Sequence, residues 1–173
     1  GPEDVMELTF RLGAWMLVLG GAAQNIDEGR ARCEKAISSG AALDLFYRNV
    51  VRQGGRVGEL RARRGTWRSG FSREIRADRD GFIASIDALR IGLAGVYLGV
   101  GRNRTEDSVS PTAGFIFEKK RGARVKKGEL ITVAYGKDSE SLESAAPLAA
   151  SAISITDAAP GPSPLILEEI TAQ

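Results

Sequence analysis

The hydrophobic positions of the first third of the chain repeat at helical spacing and predict three helices. The first helix is predicted to have Pro2 at its first helical position and to stop at Gly20-Gly21. Apolar residues on more than one of its faces predict burial on several sides. Asn25, followed three residues later by Glu28, is typical of a helix N-cap, and a third helix is predicted near 41–53. The stripe of the first helix consists of Val5, Leu8, Leu12, Trp15, Met16 and Leu19.

From residue 71 onward the pattern alternates between strand and helix spacing, which predicts an α+β fold. A helix opened by Ser85 or Asp87 should end near Gly99, and an Ala-rich helix from Asp138 should reach about Ile155, with a kink or break at Pro147. Strands are predicted at 71–77 and 81–85, joined across a turn, and at 114–118, 130–135 and 165–170.

Arginine dominates the stretch between these two regions. Nine arginines lie between Val51 and Asp80, against three acidic residues, and hydrophobic periodicity lapses there until Phe71. This composition predicts an exposed linker at a domain boundary. The predicted organisation is a helical segment with its linker over 1–66 and a second domain over 67–173. The nine are Arg52, Arg56, Arg61, Arg63, Arg64, Arg68, Arg73, Arg76 and Arg79.

Composition excludes several classes of chemistry. The chain has 173 residues, a net charge of +2, one cysteine and no histidine. Without histidine, a Ser-His or Cys-His nucleophile pair and a His-ligated zinc are impossible within this chain. The single Cys33 excludes an internal disulfide and suits a reducing cytoplasm. No apolar run approaches the roughly 20 residues that a membrane span requires, so we expect no membrane partner.

A series of short motifs, in order, resembles one enzyme family. They include Ser39-Gly-Ala-Ala-Leu43, Val51-Arg-Gln-Gly-Gly55, and the segments at 80–88 and 121–130. Together they resemble the C-terminal part of the thymidine phosphorylases and pyrimidine-nucleoside phosphorylases, from about Val5 to Tyr135. Further matching motifs are Gly99-Val-Gly-Arg102, Glu106-Asp107 and Gly114-Phe-Ile116.

The resemblance implies a fold and a parent activity. Enzymes of this family are cytoplasmic homodimers of nucleoside salvage, which cleave thymidine or uridine with phosphate to the free base and a pentose 1-phosphate. The C-terminal module of the family is an α/β-hammerhead of barrel-sandwich type. The phosphate- and base-binding motifs of the family lie in earlier sequence. We therefore expect no catalytic, cofactor-binding or metal-binding residue in this chain. By the same resemblance Gly1-Pro2 is native sequence, and the chain is a structural fragment without activity of its own.

A second function class stays open beside the fragment. The segment at 121–129 also suits the turn of a stand-alone biotinyl- or lipoyl-carrier or binding module. Lys126, Lys127 and Lys137 are the lysines near such a turn, although none has the neighbouring methionine that is typical of a modified lysine. The carrier alternative therefore requires a modified lysine near this segment, whereas the phosphorylase fragment does not.

The remaining motifs each have a functional and a structural interpretation. Gly99–Arg104 could cradle an anion, but a helix C-cap and turn is favoured. The arginine stretch could contact nucleic acid, but a solvated linker is favoured, and we expect no nucleic-acid partner. Cys33 suits a small buried hydrophobe, and Glu106-Asp107 suits a polar turn.

Overall fold

The computed structural model describes residues 2–102 and 104–170, which fall into two compact units. The helical unit contains the described residues 2–64 together with 163–170. The mixed unit spans 65–162. In the described part of the chain, no helix combines the length and apolar character that crossing a membrane requires.

Four helices build the helical unit, and the first three lie where the sequence predicts helices. In the second helix the Asn25 side chain accepts a hydrogen bond of 2.9 Å from the Glu28 amide, which confirms the predicted N-cap. The fourth helix was not predicted; it is short and lies inside the predicted linker. The helices are α1 (Glu3–Leu19), α2 (Ile26–Ser38), α3 (Ala41–Arg52) and α4 (Val57–Ala62).

Two small residues allow α1 and α2 to cross closely. Ala14 is fully buried, and a Cβ added to Gly29 would come within 2.8 Å of the Ala14 carbonyl oxygen. Because the contact is between backbones, a side chain at Gly29 has no room. Ala14 is the only buried residue of α1, so most of the apolar stripe of that helix remains exposed.

The segment at 165–170 is not the strand that its alternation predicts. It belongs to the helical unit, where Glu169 pairs with Arg11 and accepts a 3.4 Å hydrogen bond from the Trp15 indole. Alternation creates a strand only where another strand supplies hydrogen-bonding partners. Side chains of α1 meet this segment instead, and its backbone stays outside both sheets.

Two antiparallel three-stranded sheets form the mixed unit. The first has the order β1-β5-β3, with Phe71 opposite Gly136 and Phe117 opposite Thr132. The second has the order β4-β2-β6. The strands are β1 (Phe71–Arg76), β2 (Gly81–Ile86), β3 (Gly114–Phe117), β4 (Arg124–Val125), β5 (Leu130–Gly136) and β6 (Ile153–Thr156).

The first two strands follow one another across a turn as predicted, but they do not pair, because β1 and β2 lie in different sheets. The reason is visible in the connection between them. The Ala77 amide donates to the Glu129 carbonyl at 2.9 Å, and the Gly128 amide donates to the Ala77 carbonyl at 2.8 Å. The chain is thus held by the turn before β5 as it leaves one sheet, and it does not fold back on itself.

Two helices, α5 (Ala88–Leu98) and α6 (Ser139–Ser151), pack with the first sheet. Asp87 caps α5 by accepting from the Arg90 amide at 3.1 Å, as predicted. Helix α6 runs through Pro147 without the predicted break. Pro147 is exposed, so water can reach the carbonyl that loses its helical donor. The helix also ends before Ile155, because Ile153–Thr156 pairs with β2.

The core of the mixed unit has two parts. One lies between the first sheet and the helices and centres on Leu98, Ala134 and Ala145, which are fully buried. The other contains Ile83 and Ile131. Ile153 packs against both parts. The observed mixture of helices and small sheets confirms the α+β fold class.

Candidate functional site

The predicted turn after α5 begins with a helix cap at Gly99, whose amide and carbonyl are both hydrogen-bonded. Gly99 has a φ of 97°, in the left-handed region that favours glycine, and its amide donates to the Val96 carbonyl. Its own carbonyl accepts from the Ser110 amide at 2.8 Å. Asn103, within the predicted Gly99–Arg104 motif, lies outside the described residues. The C-cap interpretation of Gly99 is confirmed.

One residue of the acidic pair after this turn, Asp107, forms a hydrogen bond with the backbone. The Asp107 carboxylate accepts a 2.9 Å hydrogen bond from the Arg104 amide, which closes a polar turn. Among residues 2–102 and 104–170, no three His, Cys, Asp or Glu side chains come together as a possible metal site. The described geometry at Asp107 therefore matches the polar-turn interpretation.

The turn between β4 and β5 is not the tip of a hairpin. Its flanking strands pair with different partners, β4 with β2 and β5 with β1 and β3. Within the turn, the Lys126 amide donates to Glu129 at 2.9 Å and the Lys127 amide donates to Asp80 at 2.6 Å. A carrier domain presents its modified lysine at a projecting hairpin, and this pairing does not produce one.

Glu129 organises the same turn through its charge. Its carboxylate lies 2.8 Å from the Lys119 ammonium. The hydrogen bond from Lys119, followed by the one from the Lys126 amide, lowers the pKa of Glu129. The Glu129 carboxylate thus holds the loop before β5 through these contacts.

Lys137 and its neighbours line a polar cleft of about 200 Å³ at the start of α6. The Asp138 side chain accepts from the Ser141 amide at 2.8 Å, and Ser141 Oγ donates to the Asp138 carbonyl at 2.7 Å. These groups form a capping box, so their hydrogen bonds are internal to the fold. The aliphatic part of Lys137 lies over Gly99, where an added Cβ would be 3.4 Å from Lys137 Cδ.

Cys33 packs beside a glycine in the helical unit. A Cβ added to Gly13 would lie 2.8 Å from Cys33 Sγ. The thiol is half-buried and lines an open cleft of about 750 Å³ between α1 and α2, together with Met16 and Leu17. This placement suits the predicted role as a small packing residue, although the residue is less buried than expected.

Most of the described arginines in the predicted linker have local partners. Arg56 pairs with Glu59 at 2.6 Å, and the Arg61 guanidinium lies 4.4 Å from the centre of the Tyr47 ring. In the mixed unit, Arg76 pairs with Glu74 and donates to the Gly128 carbonyl. The arginine stretch is therefore largely a set of short local interactions rather than one continuous cationic track.

An ion-pair network of the helical unit yields a pH prediction. Arg30 forms two hydrogen bonds, of 2.9 and 2.7 Å, with the Glu7 carboxylate. The hydrogen bond from Arg30, followed by the charges of Arg30 and Arg11, lowers the pKa of Glu7. A lowered pKa stabilises the folded state above the ordinary glutamate value, about 4.3, and this contribution disappears as pH falls through the folded value. Glu7→Gln should therefore lower the thermal midpoint at pH 7, and this deficit should shrink progressively as the pH falls below about 4.3.

The matched control is Glu3→Gln, which removes a carboxyl group from the same helix without touching Arg30. Thermal unfolding followed by circular dichroism across the pH range measures both variants. A Glu7→Gln deficit that stays constant from neutral to acidic pH would contradict the assignment of the stabilisation to the charged pair.

Comparison with known proteins identifies the class of the mixed unit. Residues 82–156 match the family model described as "Pyrimidine nucleoside phosphorylase C-terminal domain". That range begins in β2 and ends with β6, so it contains α5, α6 and all strands except β1. This part of the chain is therefore similar to that domain.

The similarity extends beyond the domain into the helical unit. The chain is 36% identical over 134 residues to a pyrimidine-nucleoside phosphorylase of Staphylococcus haemolyticus, and 34% identical over 135 residues to one of Geobacillus stearothermophilus. These matches cover 77% and 78% of this chain and 31% of each relative. The predicted resemblance to the C-terminal part of these enzymes is confirmed, and the chain spans about a third of their length.

Proposed function

We propose that this chain is the C-terminal portion of a pyrimidine-nucleoside phosphorylase and supports a catalytic site built by the rest of that enzyme. The reaction is the phosphorolysis of thymidine or uridine to a free base and a pentose 1-phosphate. The supporting observation is the ordered match of more than three-quarters of the chain to the C-terminal part of named phosphorylases. In this proposal the parent works in the cytoplasm as a homodimer.

The role of the chain in that reaction is structural. Phosphorolysis requires groups that position phosphate and support the leaving base as its charge develops. The hydrogen bonds described at Gly99, Asp107, Glu129 and Ser141 are all made within the fold. We assign the binding of phosphate and base to the parent sequence that corresponds to the other two-thirds of the relatives.

The two units take different roles in this proposal. The helical unit is a segment of the larger α/β domain, and the mixed unit is the C-terminal hammerhead domain. The mixed unit has two small sheets, and Ile153 packs against both parts of its core. This arrangement supports the barrel-sandwich type of architecture. The exposed apolar residues of α1 and α3 support the first assignment, because large exposed apolar surfaces mark places that a partner covers.

A chimera tests this function. The matching C-terminal third of the Staphylococcus haemolyticus enzyme is replaced by this chain, and phosphate-dependent release of uracil from uridine is measured. The chimera should exceed the rate of this chain alone by at least about a hundredfold, because an assembled phosphorylase accelerates the reaction by many orders of magnitude.

Two controls accompany the chimera. The Staphylococcus portion without any C-terminal third should be inactive, and this chain alone should release uracil only at the rate without enzyme. Activity of this chain alone would refute the division of labour. A well-folded chimera without activity would refute the assignment of this chain to the phosphorylase module.

A further inference from the structure

Helix α3 presents a surface that no other described element covers. None of its residues is buried, although the helix carries several large apolar side chains. Leu45 and Val51 are each 60% exposed and Phe46 is 50% exposed. A helix of this kind gains stability by burying an apolar face against another element. The exposed face of α3 is therefore suited to a partner.

Two clefts flank one row of this helix. Arg48 and Arg52, four residues apart, line both of them and separate the two; we call this pair the arginine ridge. One cleft, of about 550 Å³, has Leu45 and Phe46 in its wall, and the other, of about 340 Å³, has Val51. Apolar depressions thus lie on both sides of a pair of cations.

The cations of the ridge are available to a partner. Arg56 and Arg61 have local partners in Glu59 and Tyr47, whereas neither Arg48 nor Arg52 forms an ion pair with any residue that the structure describes. Guanidinium groups bind carboxylates with two parallel hydrogen bonds and tolerate partial burial in such pairs. The ridge therefore calls for carboxylates flanked by apolar side chains.

We propose that the arginine ridge and its two clefts bind an acidic amphipathic helix of the parent polypeptide, from the part that lies outside the matched third of its relatives. This inference rests on the proposed function, and it adds the chemistry of the contact. Apolar residues of that helix fill the clefts, and its glutamates or aspartates pair with Arg48 and Arg52. Amphipathic helices commonly dock in this manner, with anchors three and four residues apart.

Two observations favour this occupant. More than two-thirds of each relative has no counterpart in this chain, so a parent of similar length has ample sequence to supply the helix. Single-stranded nucleic acid would need free aromatic faces along a cationic groove. The Tyr47 ring already has Arg61 over it at 4.4 Å, so Phe46 offers one exposed ring rather than a row of them, and the clefts beside the ridge are largely apolar.

A peptide-binding experiment tests the chemistry of the ridge. The probe is a fluorescent synthetic helix of about 18 residues, five turns, with a leucine face flanked by glutamates. A matched probe has lysines in place of the glutamates. Fluorescence anisotropy with the full chain should show binding of the acidic probe, and Arg48→Glu with Arg52→Glu should weaken it at least about tenfold.

Matched controls separate the ridge from general charge effects. Arg73→Glu with Arg102→Glu makes the same charge change in the mixed unit and should leave binding unchanged. The variant with Arg48→Glu and Arg52→Glu should bind the lysine probe more tightly than the acidic probe. No binding of the acidic probe, equal binding of both probes, or no effect of the ridge substitutions would overturn the proposal. Tighter binding of an oligothymidine would overturn it in favour of nucleic acid.

A competition experiment tests the source of the helix. The part of the Staphylococcus haemolyticus phosphorylase that precedes the matched third, added unlabelled, should displace the acidic probe. Failure to displace a probe that does bind would overturn the parent polypeptide as the source. Activity of the chimera is measured independently, so the proposed function can hold while the ridge proposal fails, and the reverse.

Discussion

Truncation of Leu98 to alanine should destabilise the mixed unit by about 2–5 kcal/mol. Leu98 is the last residue of α5 and is fully buried against the first sheet and α6. Its removal leaves a cavity, because the surrounding small residues, such as Ala94 and Ala145, cannot expand to fill it. The free energy of unfolding is measured by urea titration, with hydrogen exchange in β5 reporting on this unit alone.

The control for this prediction lies on the same helix. Leu89 is 73% exposed, so Leu89→Ala should change the free energy of unfolding by less than about 0.5 kcal/mol. Equal losses for Leu89→Ala and Leu98→Ala would mean that α5 does not bury the face described here.

A methyl group at Gly136 should destabilise the mixed unit by about 1–3 kcal/mol. Gly136 is buried at the end of β5, where a Cβ would lie 3.0 Å from both the Asp138 carbonyl oxygen and Leu142 Cγ, and closer still to Ser141 Oγ. Relief of that contact requires moving the capping box of α6 or the β5 strand. Gly136→Ala should therefore weaken the start of α6, measured as faster hydrogen exchange over its first turn.

Gly92→Ala provides the opposite expectation in a matched substitution. Gly92 is exposed within α5, and no atom lies within 4 Å of a Cβ at that position. Alanine there should stabilise the helix by up to about 1 kcal/mol. If both glycine variants were equally stable, the close approach at Gly136 would be wrong.

Local signals in the sequence predicted the helices well. Asn25 and Asp87 are caps whose side chains act on an amide three residues away, so the information needed to place them is contiguous. The strands predicted at 114–118 and 130–135 likewise match β3 and β5 closely. Such features are determined by neighbouring residues, so a short segment of sequence is enough to predict them.

The pairing of the strands and the unit that each segment joins depend on residues far apart in the sequence. Strand β1 finds its partner about sixty residues later in β5, and the contact of Ala77 with the 128–129 turn directs the chain into the second sheet. The segment at 165–170 alternates like a strand, yet Glu169 meets Arg11 on α1. No local pattern distinguishes a strand from an extended segment that is held by side chains.

The candidate surfaces showed the same division. Gly99 and Asp107 could be interpreted from their neighbours in the sequence. The arginine ridge could not, because the composition-based stretch began after Arg48 and treated all its arginines alike. The spacing of four between Arg48 and Arg52 was the available signal, but only the structure shows that Arg56 and Arg61 have partners, whereas Arg48 and Arg52 form no ion pair with a described residue.

Ile153 packs against both parts of the mixed unit's core, and it opens the strand β6 that completes the second sheet. One side chain therefore joins two hydrophobic clusters that would otherwise each be too small to be stable independently. We therefore expect cooperativity: the two sheets should gain and lose order in a single step, with neither persisting as a partly folded subdomain.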